Sequence, residues 1–282
     1  MTTGFLHPGA MGAALAGSCV GERLWVGEGR SSATRARADA AGLEEVADLA
    51  QLVERSDVIV SVCPPGAAQS VAKAVAGAGF EGTYVDVNAT SPATSTAIAT
   101  EFERYVDGSI VGPPPSERGD ARLYLVGDEA KAMARLWTDG LFDVVTLEGA
   151  VGAASALKVA YAAWSKGTAA LLLAVRAYAR AEGIEGPLLA EWGRSVPGLG
   201  EQSELSAWGN APKAWRFADE LDEIARAFGT RGLPSGFGEA AAEVYRDLTS
   251  FRDATDVAPD DVFDALIAGD PKGSSTPDGC LP

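Results

Sequence analysis

Lys158 is the residue of this sequence whose surroundings could most readily support chemistry. It is a lone charged residue in a run of Ala, Leu, Val and Tyr within residues 152–182. Burial lowers the pKa of a lysine, and enzymes use such a lysine as proton donor and acceptor near neutral pH. Alternatively, its aliphatic chain lies along a helix while the ammonium group reaches solvent. This stretch alone leaves both alternatives open.

The sequence contains a single histidine, His7. Ser-His-Asp or Cys-His catalysis would therefore have to use His7 itself, and a histidine-based metal centre is not expected. Three cysteines are too few and too scattered for a disulfide framework or a zinc site, which fits a reducing cytoplasm. Proton transfer would fall to Lys, Tyr, Cys, Asp or Glu.

Composition and charge narrow the class of protein. The 282 residues are 47% apolar, enough for packed cores, and the formal net charge is −16. Such a charge repels phosphate backbones and anionic membranes, so neither nucleic acid nor a membrane is an expected partner. The N-terminus lacks a signal-peptide pattern, and charged residues interrupt the long apolar stretch, so we expect a cytoplasmic protein acting on a small molecule.

Strands alternating with helices predict the fold class of the first half. Apolar strands are predicted at 3–6, 24–26, 57–62 and 84–87, with helices between them. This order is typical of an α/β Rossmann domain with a doubly wound parallel sheet, in which ligands bind at the carboxyl ends of the strands. We therefore expect a dinucleotide-binding domain over residues 1–150.

One long helix is predicted over residues 152–182, which contain no proline. At about 1.5 Å per residue it would extend about 45 Å, too long for one small domain, so it should run along a domain junction. Only helical patterns follow it. We predict an all-α substrate and dimerisation domain over 151–268, joined by this helix, and a disordered tail over 269–282.

A glycine-rich turn follows the first strand. It consists of His7, Pro8, Gly9, Ala10, Met11 and Gly12. Strand, turn and helix are the context of the dinucleotide fingerprint G-x-G-x-x-G, with His7 replacing the first glycine. The helix N-terminus would face the pyrophosphate. The alternative is a purely structural turn.

The end of the second strand indicates which coenzyme is bound. An acid there binds the ribose hydroxyls of NAD, whereas arginine and serine suit the 2′-phosphate of NADP. Both types are present, as Glu28, Arg30, Ser31 and Arg35. We favour NADP over NAD and give Glu28 the lesser part. The alternative for Arg35 is a solvated helix face.

Four motifs make the chain resemble the β-hydroxyacid dehydrogenases and the related 6-phosphogluconate dehydrogenases over nearly its whole length. Residues 4–12 resemble G-F-I-G-L-G-x-M-G, and residues 86–92 resemble D-x-S-T-x-x-P. Residues 107–113, with the strand 123–127 after them, are similar to D-A-P-V-S-G-G. Residues 152–158 line up with G-x-G-x-x-x-K, whose lysine is the family's catalytic residue.

The resemblance implies roles for further residues. It makes Lys158 the catalytic lysine and places the Cys63, Pro64 and Pro65 turn near the nicotinamide ribose. Asn88 would serve both coenzyme and substrate. The remaining predicted substrate residues are Ala89, Thr90, Val111, Gly112, Pro113, Tyr161 and Ser165, of which Tyr161 and Ser165 share a helix face with Lys158 and could instead be packing residues. Family members often pair through the helical domain, so a homodimer is expected.

The chain also departs from the family pattern. Ala162 stands where the family has an asparagine, Pro113 replaces a glycine, and His7 replaces the first fingerprint glycine. The leading hypothesis is an NADP-dependent oxidoreductase that exchanges a hydride with a small hydroxy acid or aldehyde-type substrate. One alternative is an imine reductase of the same architecture, and another is a non-catalytic NADP-binding sensor.

Overall fold

The computed structural model describes residues 1–269 and contains one eight-stranded sheet and twelve α-helices within them. The strands are β1 (Thr2–Leu6), β2 (Glu22–Val26), β3 (Glu44–Val46), β4 (Val58–Ser61), β5 (Thr83–Asp86), β6 (Tyr105–Val111), β7 (Ala121–Val126) and β8 (Phe142–Thr146). The helices of the first half are α1 (Ala10–Gly17), α2 (Ser32–Ala40), α3 (Leu49–Arg55), α4 (Ala68–Gly77), α5 (Pro92–Ala99) and α6 (Ala130–Ala134). Those of the second half are α7 (Ala153–Ala181), α8 (Glu185–Ser195), α9 (Leu199–Asn210), α10 (Ala214–Thr230), α11 (Gly236–Asp247) and α12 (Pro259–Ala268).

The strand order is β3-β2-β1-β4-β5-β6-β7-β8. The first six strands are parallel and follow the order of a dinucleotide-binding Rossmann sheet. The predicted fold class is therefore confirmed. The sheet is not wholly parallel, because β7 runs antiparallel to β6 and β8 then runs parallel to β7.

Apolar residues cover both faces of the sheet, as a sheet with helices on both sides requires. Successive residues of β1 serve opposite faces. Phe5 packs with Leu15 of α1 in one cluster, and Leu6 packs with Leu52 of α3 in the other. The indole N–H of the fully buried Trp137 donates to the Leu15 carbonyl at 2.9 Å.

The chain divides into two compact units, residues 1–162 and 163–282, with the division inside α7. The first unit thus contains the start of α7 in addition to the predicted 1–150 domain. The second unit is helical throughout its described part. The predicted tail, residues 269–282, lies outside the described residues except for Gly269.

Arg176 of α7, whose side chain is 3% exposed, links four helices of the second unit. Its guanidinium pairs with Glu185 of α8, donates to the Ser203 hydroxyl of α9 and stacks on the Phe263 ring of α12. A buried arginine that contacts three neighbouring helices fixes their packing, because every lost partner would leave a buried charge unsatisfied. Within residues 1–269 no helix is long and apolar enough to cross a membrane.

Candidate functional site

The carboxyl ends of four neighbouring parallel strands, β1, β4, β5 and β6, lie along one edge of the sheet. Three segments named from the sequence follow directly from the first three strands: residues 7–12, 63–65 and 88–90. Residues 111–113 end β6 and lead out of it. The first unit therefore brings most of the predicted site residues to this edge, which is where ligands bind in doubly wound sheets.

The turn after β1 has the shape expected for a phosphate-binding turn. Helix α1 begins at Ala10, its N-cap Gly9 has no side chain to cap it, and no acidic residue lies in its first turn. The backbone N–H groups at this terminus are left for a ligand. A Cβ atom on Gly12 would lie 2.8 Å from the His7 carbonyl oxygen, so only glycine fits there.

His7 adopts a left-handed backbone conformation, with φ of 65°. A glycine would adopt it without strain, which explains why the fingerprint has glycine at this position. Burial, with a further contribution from the Arg30 charge, lowers the pKa of His7 to about 4, so the imidazole is neutral at pH 7. Its Nδ1 atom is buried and has no hydrogen-bond partner in the protein.

The end of β2 presents Arg30 and Ser31 beside the first turn. Ser31 caps α2 by accepting from the Thr34 N–H. The Arg30 Nε atom is buried without a protein partner. Glu28 is exposed in the turn before them.

Arg35 differs from Arg30, because it is already paired within the protein. Its guanidinium binds the Glu45 carboxylate of β3 and donates to the Gly27 carbonyl at 2.5 Å. Glu45 lies in β3, whose three residues are too few to be recognised as a strand from the sequence pattern. The Arg35 side chain is thus engaged by Glu45 and Gly27 in this structure, and its predicted contact with the coenzyme stays a prediction.

The Asn88 side chain also has its partners within the protein. Its Oδ1 accepts from the Cys63 N–H at 2.6 Å, its Nδ2 donates to the Ser61 hydroxyl at 3.0 Å, and the residue is 2% exposed. The amide thus connects the ends of β4 and β5 and fixes the Cys63 turn. Asn88 thereby holds the Cys63 turn to β4, and its predicted contacts with coenzyme and substrate stay predictions. Cys63 is half-buried with its thiol pKa raised to about 11 by burial, whereas Pro64 and Pro65 are exposed.

Thr90 is the polar residue of this loop with an unused side-chain oxygen. It is 3% exposed, and its Oγ1 has no partner in the protein. Ala89 beside it is half-buried. A buried hydroxyl without a partner is costly, which makes Thr90 the best candidate in this loop for a substrate contact.

The loop after β6 is shaped by Gly112, whose φ is 125°. A Cβ atom there would lie 2.3 Å from the Asp120 carbonyl oxygen, so glycine is required. Val111 is buried and Pro113 is exposed. Pro113 has no N–H, so this loop offers a ligand one backbone donor fewer than the family sequence would.

Lys158 lies on the second turn of α7, half-buried. Its Nζ donates to the Ile110 carbonyl of β6 at 2.7 Å. Burial lowers the pKa of Lys158 below its ordinary value. No carboxylate of the described residues lies within ion-pair distance of it, whereas Lys166, two turns further along α7, pairs with Glu220. A half-buried lysine without a counter-ion, near the strand ends, is suited to gaining and losing a proton.

For Tyr161 and Ser165, predicted on the same helix face as Lys158, the structure shows exposure and location only. Tyr161 is 43% exposed on α7 in the first unit, and Ser165 belongs to the second unit. Their roles stay predictions.

Asp107, the first residue of the motif at 107–113, has a central place in the structure. Its Oδ2 accepts from the backbone N–H groups of Gly152, Ala154 and Ser155 at 2.9–3.2 Å. Its Oδ1 accepts from the hydroxyls of Ser155 and Ser95 at 2.6 and 3.0 Å. A single acid within the apolar strand 105–111 is the sequence signal that could have identified it, since a buried carboxylate requires such partners.

Asp86 lies beside Asp107 in the register of β5 and β6, and it too is buried. The Tyr105 hydroxyl lies 3.3 Å from Asp86 Oδ2 and 2.9 Å from the Ser95 hydroxyl, which in turn contacts Asp107. Two hydroxyl hydrogens cannot serve these three contacts unless Asp86 supplies a third. Burial raises the pKa of Asp86 to about 7, with Asp107 contributing, and this agrees with the hydrogen count.

Sequence comparison matches this chain to one domain family and to one uncharacterized relative. Residues 179–248 match a domain of unknown function, DUF1932. An uncharacterized 28.5 kDa protein encoded in the 7S RNA 5′ region of Methanothermus fervidus is 32% identical over 164 residues. The matched segment is 57% of this chain and spans 63% of that relative's length, which is less than two thirds.

Several solved structures share the architecture. A conserved protein of unknown function, described as structurally similar to 3-hydroxyacid dehydrogenases, has a TM-score of 0.70 at 23% identity over 89% of this chain and 99% of its own. For the 3-hydroxyisobutyrate dehydrogenase of Mycobacterium tuberculosis the TM-score is 0.70 at 16% identity, covering 94% and 98% of the two chains. An imine reductase of Myxococcus stipitatus in complex with NADP+ has a TM-score of 0.53 at 18% identity, covering 89% and 94%.

Identities of this size establish the fold. The chain has the fold of NAD(P)-dependent dehydrogenases and reductases that combine a Rossmann unit with a helical unit. The fold implied by the resemblance of the four motifs is thus confirmed, since it is shared with a 3-hydroxyisobutyrate dehydrogenase and with a protein described as structurally similar to 3-hydroxyacid dehydrogenases.

The protonation of Asp86 predicts a pH-dependent gain in stability for Asp86→Asn. Because the folded form raises the Asp86 pKa from 3.8 to about 7, ionisation weakens folding increasingly as pH rises from about 4 to 7. The amide accepts from Asn88 and donates to Tyr105 without carrying charge. We expect Asp86→Asn to stabilise the first unit by about 2–4 kcal/mol at pH 8, and by much less at pH 4.5, in urea unfolding.

Asp48→Asn is the matched control, because Asp48 is an exposed acid that caps α3 through the Gln51 N–H. Asp48→Asn should not become more stable, relative to the unmodified protein, between pH 4.5 and pH 8. An Asp86→Asn gain that is equal at the two pH values would contradict the assignment of a proton to Asp86.

Proposed function

We propose that the protein is an NADP-dependent oxidoreductase that transfers a hydride between the nicotinamide and a small hydroxy acid or aldehyde-type substrate, with Lys158 as proton donor and acceptor. The observation that carries the proposal is the Lys158 amine, half-buried without a counter-ion and hydrogen-bonded to Ile110 at the end of β6. It lies on the same sheet unit as the glycine-rich turn and the β2 end.

The residues of the first unit fit a dinucleotide. The α1 N-terminus and Gly12 leave room and donors for a pyrophosphate. The buried, unpartnered atoms of His7 and Arg30 offer further polar contacts, and Arg30 with Ser31 suits the 2′-phosphate of NADP. An arginine in that place favours NADP over NAD.

In this proposal NADP(H), when bound, supplies or accepts the hydride. Lys158 gives a proton to the substrate oxygen during reduction and takes it back during oxidation. Its lowered pKa makes both directions accessible nearer to neutral pH. Thr90 would hold a polar group of the substrate, while Asn88 keeps the Cys63 turn in place.

Imine reduction is the second candidate. The buried Ala162 at the family's asparagine position removes a polar group that a hydroxy acid would use, and this favours a C=N substrate. A non-catalytic NADP-binding sensor is the third, favoured by the strained His7 and by Pro113.

A homodimer formed through the helical unit is also proposed. Leu171, Tyr178 and Phe237 of this unit are 63–79% exposed. Large apolar side chains at that exposure are typical of an association surface. Light scattering should give twice the mass of 29.0 kDa, and a monomer at micromolar concentration would refute the dimer.

Coenzyme preference is expected to depend on Arg30. Fluorescence titration of the unmodified protein should show tighter binding of NADPH than of NADH. Arg30→Ala should weaken NADPH binding about tenfold or more and leave NADH nearly unchanged, because only NADPH carries the 2′-phosphate. Arg37→Ala, an exposed arginine of α2, is the control and should change neither. Equal losses for both coenzymes would contradict the assignment.

Turnover is expected to depend on Lys158. A screen of small hydroxy acids, semialdehydes and cyclic imines with NADP(H) should reveal the substrate class. Lys158→Met should lower kcat about 100-fold or more while the NADPH Kd changes less than threefold, because the lysine moves a proton and does not hold the coenzyme. Lys73→Met, at an exposed position of α4, is the control.

The outcomes separate the three candidates. Oxidation of alcohols or reduction of carbonyls supports the leading proposal, and turnover of cyclic imines alone supports the imine reductase. NADPH binding without turnover of any class supports the sensor. Full activity of Lys158→Met would refute the role of the lysine.

A further inference from the structure

The start of α7 is held to strand β6 by side-chain contacts. Asp107 accepts from three backbone N–H groups of the first turn, as described above. The Ser109 hydroxyl donates to the Ala154 carbonyl at 2.8 Å, and both Ser109 and Ala154 are buried. Because Asp107 and Ser109 are two residues apart on one strand, they act on the helix from the same face of the sheet.

Lys158 is tied to the same strand. It lies one turn after Ser155, and its amine meets the carbonyl of Ile110, the residue that follows Ser109. Three positions of β6, residues 107, 109 and 110, therefore contact residues 152–158. The Lys158 side chain is thus held at both ends, at its backbone by the first turn of the helix and at its amine by the hydrogen bond to Ile110.

We propose that Asp107 is a positioning residue for Lys158, holding the first turn of α7 on β6 so that the amine is presented at the strand ends; this rests on the proposed function. Asp107 does not touch the reacting atoms. Its two oxygens accept five hydrogen bonds within the first unit, a number that suits an ionised carboxylate. A negative charge is also favourable at the N-terminus of a long helix.

Asp86 assists this arrangement by carrying a proton. With Asp86 neutral, its hydrogen, the Tyr105 hydroxyl and the Ser95 hydroxyl form a chain of donors that ends on Asp107. Two ionised carboxylates in register would repel each other. With Asp86 neutral, the negative charge is on Asp107, where it interacts favourably with the N–H groups at the start of α7.

The test compares Asp107→Ala with the unmodified protein by trace acetylation of lysines across a range of pH, followed by mass spectrometry. The pH at half-maximal labelling of Lys158 reports its environment without any need for turnover. Exposed Lys73 and Lys131 serve as internal references. NADPH binding stoichiometry counts the folded molecules.

We expect Asp107→Ala to move the Lys158 midpoint up towards those of the reference lysines, because an amine released to water loses the effect of burial. Loss of the carboxylate charge alone would move it down, so the direction identifies release of the lysine. For an accepted substrate, kcat per NADPH site should fall at least tenfold, with KM changed less than threefold.

Ser109→Ala is the second variant, since it removes only the hydroxyl bond to Ala154 and leaves every charge in place. It should move the Lys158 midpoint in the same direction by a smaller amount. Asp48→Ala removes the acid that caps α3 and should leave the midpoint unchanged.

A Lys158 midpoint that moves down or stays unchanged in Asp107→Ala and stays unchanged in Ser109→Ala, in protein that binds NADPH stoichiometrically, would overturn the proposal. A shifted midpoint in a protein without turnover on any substrate would refute the proposed reaction and leave the positioning role intact.

Discussion

The bond between the Asp107 carboxylate and the N-terminus of α7 is the interaction on which the rest of the site depends. The carboxylate is 1% exposed and would be costly to bury without the donors that surround it. The helix, in turn, would leave its first N–H groups without partners inside the protein. The carboxylate and the N–H groups satisfy each other, and their hydrogen bonds set where Lys158 lies relative to the sheet.

The remaining features of the edge follow from the same constraint of buried polar groups. Asn88 uses one acceptor and one donor of its amide to join the ends of β4 and β5, and the Asp86 proton lets two acids occupy neighbouring positions. Seven buried side-chain polar atoms of the described residues have no hydrogen-bond partner in the protein, and three of them are His7 Nδ1, Arg30 Nε and Thr90 Oγ1. Unpartnered buried groups are uncommon in proteins, and these three lie in segments that the sequence assigned to ligands.

The sequence predicted the fold well because its signals were long or strongly periodic. The apolar strands 3–6 and 57–62 correspond to β1 and β4, and the long helix predicted over 152–182 corresponds to α7. Strand β3 was missed because it has three residues, two of them glutamates. Strand β8 was missed because only part of it is buried.

The site was predicted less completely, for a physical reason. Motifs pointed to the segments around Gly12 and Lys158, because the properties that matter there, the absence of a side chain in glycine and the amine of lysine, belong to the residue type itself. The motifs could not reveal which polar groups already have hydrogen-bond or ion-pair partners within the protein. Arg35 pairs with Glu45, a contact across residues distant in the sequence, and Asp107 acts on a helix 45 residues later.

A crystal structure of the protein with NADP+ and an unreactive substrate analogue would test the central claim most directly. We expect the pyrophosphate at the α1 N-terminus, the 2′-phosphate on Arg30 and the Lys158 amine hydrogen-bonded to the polar group of the analogue, with Asp107 still bound to the first turn of α7. A coenzyme bound elsewhere, or a Lys158 amine beyond hydrogen-bonding reach of the analogue, would contradict it.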